Sequence, residues 1–556
     1  MEFFDNISEK LAVVKSHPVF SEYISEIKKF FEEEKDKPVP PLDYKTFIKF
    51  FENGDRLQYE GPYFYRRKRL TAAVLLYLLY EKEEYMDEIC NMIWIICSEI
   101  TWVLPAHIHL GGEGSSADYA KKIDLFSAET GRALSEIYYI LGDKLPVRIR
   151  DIIKHMVNER IFKAFEEKNH VFETKTNNWA AVCGGSVGMA YMYLAPERFN
   201  LVKARLLDAM NCFVSSYGDD GCCTEGVGYW HYGFGYYIYF ADALYRFTDG
   251  KIDIRHSKKI DKMARFAPTM ILRKNVAVSF SDSQRKIGFG DAGLMCYLAK
   301  NYDGISMPPV HFGFKGIQGK LSINLRKLLW TDPELLTETQ QPKPGLTYFD
   351  SAKWYINRKE KYSFAAKAGH NKEEHNHNDV GSFIFADDNG QILVDIGAML
   401  YTRQNFSPER YTLLQNSSLG HNVPIIDGRA QQYGREFCGS VLTVTEDEFT
   451  AEIQGAYGEN TPKIVRSFKM RESGITLTDT FDMQEKHDIT ERFVSVLKPE
   501  ITDNGVKIGN AVIKADGTPK ITEETLINHF GKPETFYLID YKADKSVFTL
   551  TTDIIG

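Results

Sequence analysis

A chain of 556 residues is too long for one ordinary hydrophobic core, so two or more domains are expected. Its apolar fraction of 43% and charged fraction of 26% exclude a disordered or low-complexity polypeptide. The formal net charge of −8 offers no global positive field, so no nucleic-acid partner is expected and any anionic ligand must be met by locally placed Arg, Lys, His and amide groups.

The opening residues, MEFFDNISEKLAVVKSHPVF, carry acidic groups early and lack an uninterrupted apolar stretch, so they do not read as a secretory signal. The longest apolar run, Met92–Cys97, is too short to span a bilayer. A cytoplasmic protein without a membrane partner is the simplest expectation, unless a leader has been trimmed. The eight cysteines include no C-x-x-C pair and give no zinc-ribbon or disulfide framework. Cys222 and Cys223 are expected to be buried thiols.

In chain order, apolar residues recur at three- and four-residue spacing over Leu70–Tyr80, Met86–Ile100 and Ile123–Leu141, which predicts helices. Gly142 to Pro146 is a loop, and the helical period resumes over Ile149–Phe165, Asn178–Leu194 and Phe199–Ser215. Tyr229–Tyr245 is aromatic-rich and reads as helical despite Gly233 and Gly235. Many helices joined by short loops predict a bundle, solenoid or toroid. The run Arg66–Arg69 reads as a solvated helix start.

Beyond residue 345 the texture changes. Ser382–Ala386 and Gln391–Ile396 alternate, joined by Asp387-Asp-Asn-Gly390, a hairpin signature. Further strands are predicted at Val441–Thr445, Phe449–Gln454, Ile464–Met470, Ile475–Phe481, Arg492–Leu497 and Val506–Lys514. Short strands at this spacing predict an antiparallel β-sandwich. The expected division is a helical domain over 1–345 and a β-domain over 346–556, with Gln341 to Gly345 as the linker.

Four stretches carry chemistry. Thr176-Asn-Asn-Trp179 opens a helix with two amides and an indole; an amide can donate to a carboxylate without carrying charge, and it also makes a good N-cap. Thr224 to Tyr232, TEGVGYWHY, brings Tyr229, Trp230, His231 and Tyr232 together after two glycines, and a Tyr can transfer protons if its surroundings allow. Gly369–Phe383, GHNKEEHNHNDVGSF, places His375, His377 and Asp379 at alternate positions, on one face if the backbone is extended. His421, in Ser418 to Asp427, joins His377 and Asp395 as two imidazoles and one carboxylate, a donor set suited to zinc or a related divalent metal.

Taken together, NNW, EGVGYWHY, HNHNDVGSF, VDIG (Val394–Gly397), GHNVPIIDG (Gly420–Gly428) and the helical segment Ile123–Thr130 resemble the heparinase II/III-like polysaccharide lyases. The resemblance spans most of residues 100–430, and HNHNDVGSF is its most specific part. It implies an N-terminal (α/α) toroid of helical hairpins followed by a C-terminal antiparallel β-sandwich domain. It also implies an acidic polysaccharide or oligosaccharide substrate containing uronate. The uronate loses its C5 proton and expels the oxygen at C4.

By the same resemblance Asn178 neutralises the uronate carboxylate, with His375 at the same carboxylate or acting as base. Tyr229 is the acid/base, with Tyr232 as the alternative. Trp179 stands where some relatives have a catalytic His, which leaves that role to His231 or His375. His377, Asp395 and His421 match metal ligands; the metal is expected to be structural, and no organic cofactor is implied. Further substrate contacts are expected from Trp179, Glu225, His231, Tyr232, His107 and His109, and from Arg403, Arg410, Arg429 and Arg435, which can meet sulfates or carboxylates. Glycosaminoglycans such as heparan sulfate lead as substrate, followed by alginate. A homo-oligomer is compatible with the sequence.

Three other readings compete. His377, Asp379, His421 and Arg429 also form the HxD…H…R pattern of iron- and 2-oxoglutarate-dependent oxygenases, in which Asp379, not Asp395, binds metal. A glycoside hydrolase would pair Glu225 with Asp379. A sugar-binding protein would use the aromatics and amides without acid/base chemistry.

Overall fold

The computed structural model describes residues 2–108, 121–287, 291–305, 307–308, 320–337, 342–543 and 545–555. It divides into two compact units. The first comprises Met1–Ser216, His231–Ala264 and Phe289–Thr339; the second comprises Tyr217–Trp230, Arg265–Gly288 and Gln340–Gly556. Two segments earlier than residue 345 thus group with the C-terminal residues. The attachment is specific at Ile271–Leu272: Arg358 Nε donates to the Ile271 carbonyl at 2.8 Å and Ser363 Oγ to that of Leu272 at 3.0 Å.

The first unit is helical, as the apolar spacing requires. Its helices include Leu57–Tyr80, Glu83–Cys97, Leu125–Leu141, Val147–Val157, Asn178–Leu194 and Phe199–Ser215. A π-helical turn, Asn158–Phe162, interrupts what the sequence presents as one helix over Ile149–Phe165. Leu125–Leu141 starts where it does because Asp124 and Ser127 form a reciprocal capping box, at 2.8 and 2.9 Å. Asn178–Leu194 is buried along nearly its whole length. Gly188 on this helix faces Phe240, whose ring a Cβ would strike.

The Arg66–Arg69 run is not a solvated helix start. The helix begins at Leu57, and Arg66 and Arg69 are buried. Arg66 and Arg67 pair with Glu99 at 3.1 and 2.8 Å, and Arg69 with Glu88 at 2.6 Å. Acidic groups on the next helix and its end supply the counter-charges, and local sequence could not reveal that. Among the described residues no helix is long and apolar enough to cross a membrane.

The second unit is built of antiparallel sheets. A five-stranded sheet runs Gly345–Phe349, Trp354–Arg358, Ser363–Lys367, Phe383–Asp387, Gly390–Leu393. An eight-stranded sheet contains Lys463–Met470 and Gly474–Asp482 at its middle. A four-stranded sheet runs Lys520–Ile527, Pro533–Lys542, Ile489–Ser495, Pro424–Ile426. Phe364, Phe383, Phe449, Phe468, Phe493 and Ile539 draw the three sheets into one buried core. The expected Val506–Lys514 strand is a hairpin of Gly505–Ile508 and Ala511–Ala515, turned at Gly509 with φ of 56°.

Arg466 is fully buried at the centre of this unit. It binds Asp479 and Glu491 and donates to the carbonyls of Gly381 and Asn422 at 3.0 and 2.6 Å. These two carbonyls flank the segments that carry His377 and His421, so a buried charge network supports the site from beneath.

Candidate functional site

The second unit gathers a compact polar cluster. The turn before Tyr229 is held by Gly226, whose φ of 94° favours glycine and whose absent Cβ would collide with Ser283. This close approach brings the Glu225–Tyr229 segment against the loop carrying Asp282. Opposite lies His375, in a left-handed conformation with φ of 56°. The HNHND segment is therefore not an extended strand with three groups on one face. The left-handed kink aims His375 and His377 at Asp282, while Asp379 turns away to Lys367 Nζ at 2.6 Å. A strained non-glycine backbone of this kind is common at functional sites.

Asp282 is the hub. Its Oδ2 accepts from His375 Nδ1 at 2.9 Å, Arg410 Nη2 at 3.0 Å and the Tyr401 hydroxyl at 2.7 Å; its Oδ1 accepts from His377 Nε2 at 3.0 Å. Burial would raise its pKa, but hydrogen bonds from the two histidines and the charge of Arg410 outweigh that and hold it well below the usual carboxylate range. Burial likewise opposes the charged form of His375, yet Asp282 outweighs it and raises the imidazole pKa. The Tyr229 ring stacks on His375 with centroids 3.9 Å apart, and its hydroxyl lies 2.8 Å from that of Tyr401. Burial and then the Asp282 charge raise the Tyr229 pKa, so the phenol keeps its proton at neutral pH. Glu225 Oε2 lies 3.7 Å from His375 Nε2.

His377, Asp395 and His421 are fully buried, and one ligand atom from each lies within 4.8 Å of the others. The donor set fits a divalent metal. His377 Nε2 is engaged by Asp282, and His421 Nε2 by the Gln415 carbonyl at 3.1 Å. Both Nδ1 atoms therefore turn inward, His421 Nδ1 lying 3.2 Å from Asp395 Oδ2 and His377 Nδ1 4.0 Å from Asp395 Oδ1. These two Nδ1 atoms and Asp395 Oδ2 make no hydrogen bond. Outer hydrogen bonds that fix the tautomer are the usual support of metal-binding histidines. The oxygenase pattern is not what assembles: Asp379 pairs with Lys367, and Arg429 binds the Asn460 carbonyl at 2.7 Å.

The remaining candidates sit as follows. In the first unit, His107 bonds Asp124 at 2.7 Å and its ring contacts Trp179 with centroids 5.0 Å apart. Asn178 is buried at the head of its helix, while Asn177 serves as the N-cap by accepting from Trp179 N at 3.1 Å. Tyr232 donates to Glu129, which Lys320 also approaches at 3.2 Å. His231 lies 3.5 Å from Asp291. In the second unit, Arg410 is committed to Asp282 and to the carbonyls of Asn376 and Asn405, whereas Arg403 and Arg435 are exposed. His109 lies outside the described residues.

Asp282 and Tyr401 were not legible as site residues. Asp282 sits in an unremarkable Phe280-Ser-Asp-Ser283 loop, and Tyr401 follows the VDIG segment by four residues.

Residues 341–538 match the sequence profile of the family described as Heparinase II/III-like, C-terminal. No curated protein sequence matches the chain. Among solved structures, one of heparinase III superposes with a TM-score of 0.62 at 12% identity, covering 99% of this chain and 93% of that one. Heparan sulfate lyase HepC from Pedobacter heparinus gives 0.60 at 10% identity, covering 99% and 91%. The Streptomyces coelicolor A3 chondroitin AC lyase in complex with chondroitin sulphate gives 0.60 at 10% identity, covering 99% and 82%. At these identities the likeness establishes the fold: helices followed by antiparallel sheets. The resemblance read from the motifs thus recurs in the profile match over residues 341–538, and the solved structures share the fold.

Proposed function

We propose that the protein is a polysaccharide lyase that cleaves uronate-containing acidic glycans by β-elimination, with glycosaminoglycans as the leading substrate class. The observation that carries this reading is the stack of Tyr229 on His375, tied through Tyr401 and Asp282, beside the His377–Asp395–His421 cluster. The fold likeness to heparinase III, heparan sulfate lyase and chondroitin AC lyase supports it.

The chemical difficulty is a C5 proton that becomes acidic only when the neighbouring carboxylate is neutralised, so preorganised donors at the developing enolate are the main requirement. Asn178 keeps the role that the resemblance assigns, an uncharged amide donor to that carboxylate. Because His375 Nδ1 is engaged by Asp282, Nε2 is the atom that takes the C5 proton. The C5–H electron pair forms the C4–C5 double bond, the C4–O4 bond breaks, and Tyr229 gives its proton to the departing oxygen. Positioned proton transfer of this kind contributes roughly a hundred- to ten-thousand-fold.

His377, Asp395 and His421 would hold a divalent metal, zinc by donor type, which would supply a fixed positive charge and tie three segments together. His377 bonds Asp282 with its outer nitrogen, so the metal site and His375 share one positioning carboxylate.

Heparan sulfate, hyaluronan, chondroitin sulfate and alginate should each be incubated with the protein while the ultraviolet absorbance of unsaturated uronate is followed. Growth on a glycosaminoglycan supports the reading, and growth on alginate alone moves the substrate class. Flat traces on every polymer and on their oligomers, with oxygen uptake dependent on iron and 2-oxoglutarate, would replace it.

A further inference from the structure

We propose that Tyr401 is the positioning residue that lets Tyr229 give up and regain its proton. The inference rests on the lyase reading and adds to it a residue outside the expected catalytic set.

The direction of the hydrogen bonds follows from counting protons. A tyrosine hydroxyl has one proton to donate, and an ionised carboxylate can only accept. Asp282 receives three N–H donors, from His375, His377 and Arg410, and the Tyr401 hydroxyl is its fourth neighbour at 2.7 Å. Tyr401 therefore spends its single proton on Asp282. Its oxygen is left to accept, and the Tyr229 hydroxyl, 2.8 Å away, is the donor. In the resting protein Tyr229 is a neutral, proton-bearing phenol.

Elimination reverses that bond. Tyr229 transfers its proton to the C4 oxygen as the C4–O4 bond breaks, and the C5 proton goes to His375 Nε2. Tyr229 is then a phenolate in a buried setting that disfavours charge. The Tyr401 proton can rotate to it across the same oxygen–oxygen distance, while Asp282 keeps three donors. Water afterwards returns a proton to Tyr229 and removes one from His375, and Tyr401 turns back. The Tyr401 ring is held for this by edge contacts with Phe406 and His529, at centroid distances of 5.3 and 5.9 Å.

A hydrogen bond to a charged group is worth enough that Tyr401→Phe should lower kcat on a uronate polymer about ten- to a hundredfold, with KM unchanged. The discriminating substrate is a uronide carrying fluoride or an activated aryloxy group at C4, which departs without needing a proton. On it the loss should largely vanish, which a packing defect would not produce. Tyr401→His, which keeps a ring and one N–H donor, should recover part of the polymer rate lost in Tyr401→Phe. Equal loss on both substrates, full polymer activity in Tyr401→Phe, or a Phe variant at least as active as the His variant would overturn the assignment. A wild-type protein that releases no unsaturated uronate from any polymer would instead remove the lyase reading beneath it.

Discussion

Replacing Asp282 with Asn tests whether one carboxylate serves both the metal cluster and His375. The amide oxygen can take the Oδ2 position and still accept from His375, Tyr401 and Arg410. The amide nitrogen then faces His377 Nε2, where a donor meets a donor at 3.0 Å. His377 relieves the clash by moving its proton to Nδ1, the nitrogen turned toward Asp395 and His421, and so loses its ligating lone pair. Loss of such an outer partner costs about ten- to a hundredfold in metal affinity, or about 1.4–2.7 kcal/mol. Asp282→Ala is harsher, because Arg410 and Asp282 form a nearly buried pair with 11% and 2% side-chain exposure. Removing one partner of such a pair costs about 3–5 kcal/mol, and the Asn376 and Asn405 carbonyls that also bind Arg410 place the effect near the lower figure. Zinc retention against a chromophoric chelator, with thermal unfolding in zinc and in chelator, reads both quantities. An Asp282→Asn protein that holds zinc as tightly as wild type and melts at the same temperature would refute the reasoning.

Three further outcomes are expected. His421→Ala should lower metal content and thermal stability together, and chelator should destabilise wild type but not the variant; unchanged metal content would remove His421 from the ligand set. Arg466→Met leaves Asp479, Glu491 and two carbonyls buried without their donor, so chemical denaturation should show a loss of about 3–5 kcal/mol; a loss under about 1 kcal/mol would contradict the support assigned to that network. Lys327 is fully buried, and burial lowers its pKa from 10.5 to about 8. The unfolded chain therefore takes up that proton first as pH falls, so wild-type stability should rise between pH 8 and 10.5 and be flat in this component below 8. Lys327→Met should remove that rise, worth about 2–3 kcal/mol across the window; identical alkaline profiles would refute it.

Much of the helical unit was legible because buried helices impose a strong period: Asn178–Leu194 and Phe199–Ser215 begin and end where apolar spacing and flanking Pro and Gly predict. The strands were legible in place and less so at their ends, since a two-residue turn such as Gly509-Asn510 hides inside an apolar run. Of the site, His377, Asp395 and His421 could be grouped from residue type and motif order. The grouping of Asp282 with His375 could not, because it depends on a left-handed His375 and on the Gly226 turn meeting Ser283. Burial of the Arg66–Arg69 run was hidden for the same reason: its partners are Glu88 and Glu99, some twenty to thirty residues along the chain.

The most direct measurement compares initial rates of unsaturated-uronate formation by wild type, Tyr229→Phe and Tyr232→Phe on the best glycosaminoglycan. Tyr229 stacks on His375 and meets Tyr401, whereas Tyr232 is occupied by Glu129. Removing the Tyr229 hydroxyl should abolish turnover, by roughly a hundredfold or more, with unchanged folding, and removing that of Tyr232 should leave most of it. Full activity in Tyr229→Phe would contradict the proposed elimination at this cluster.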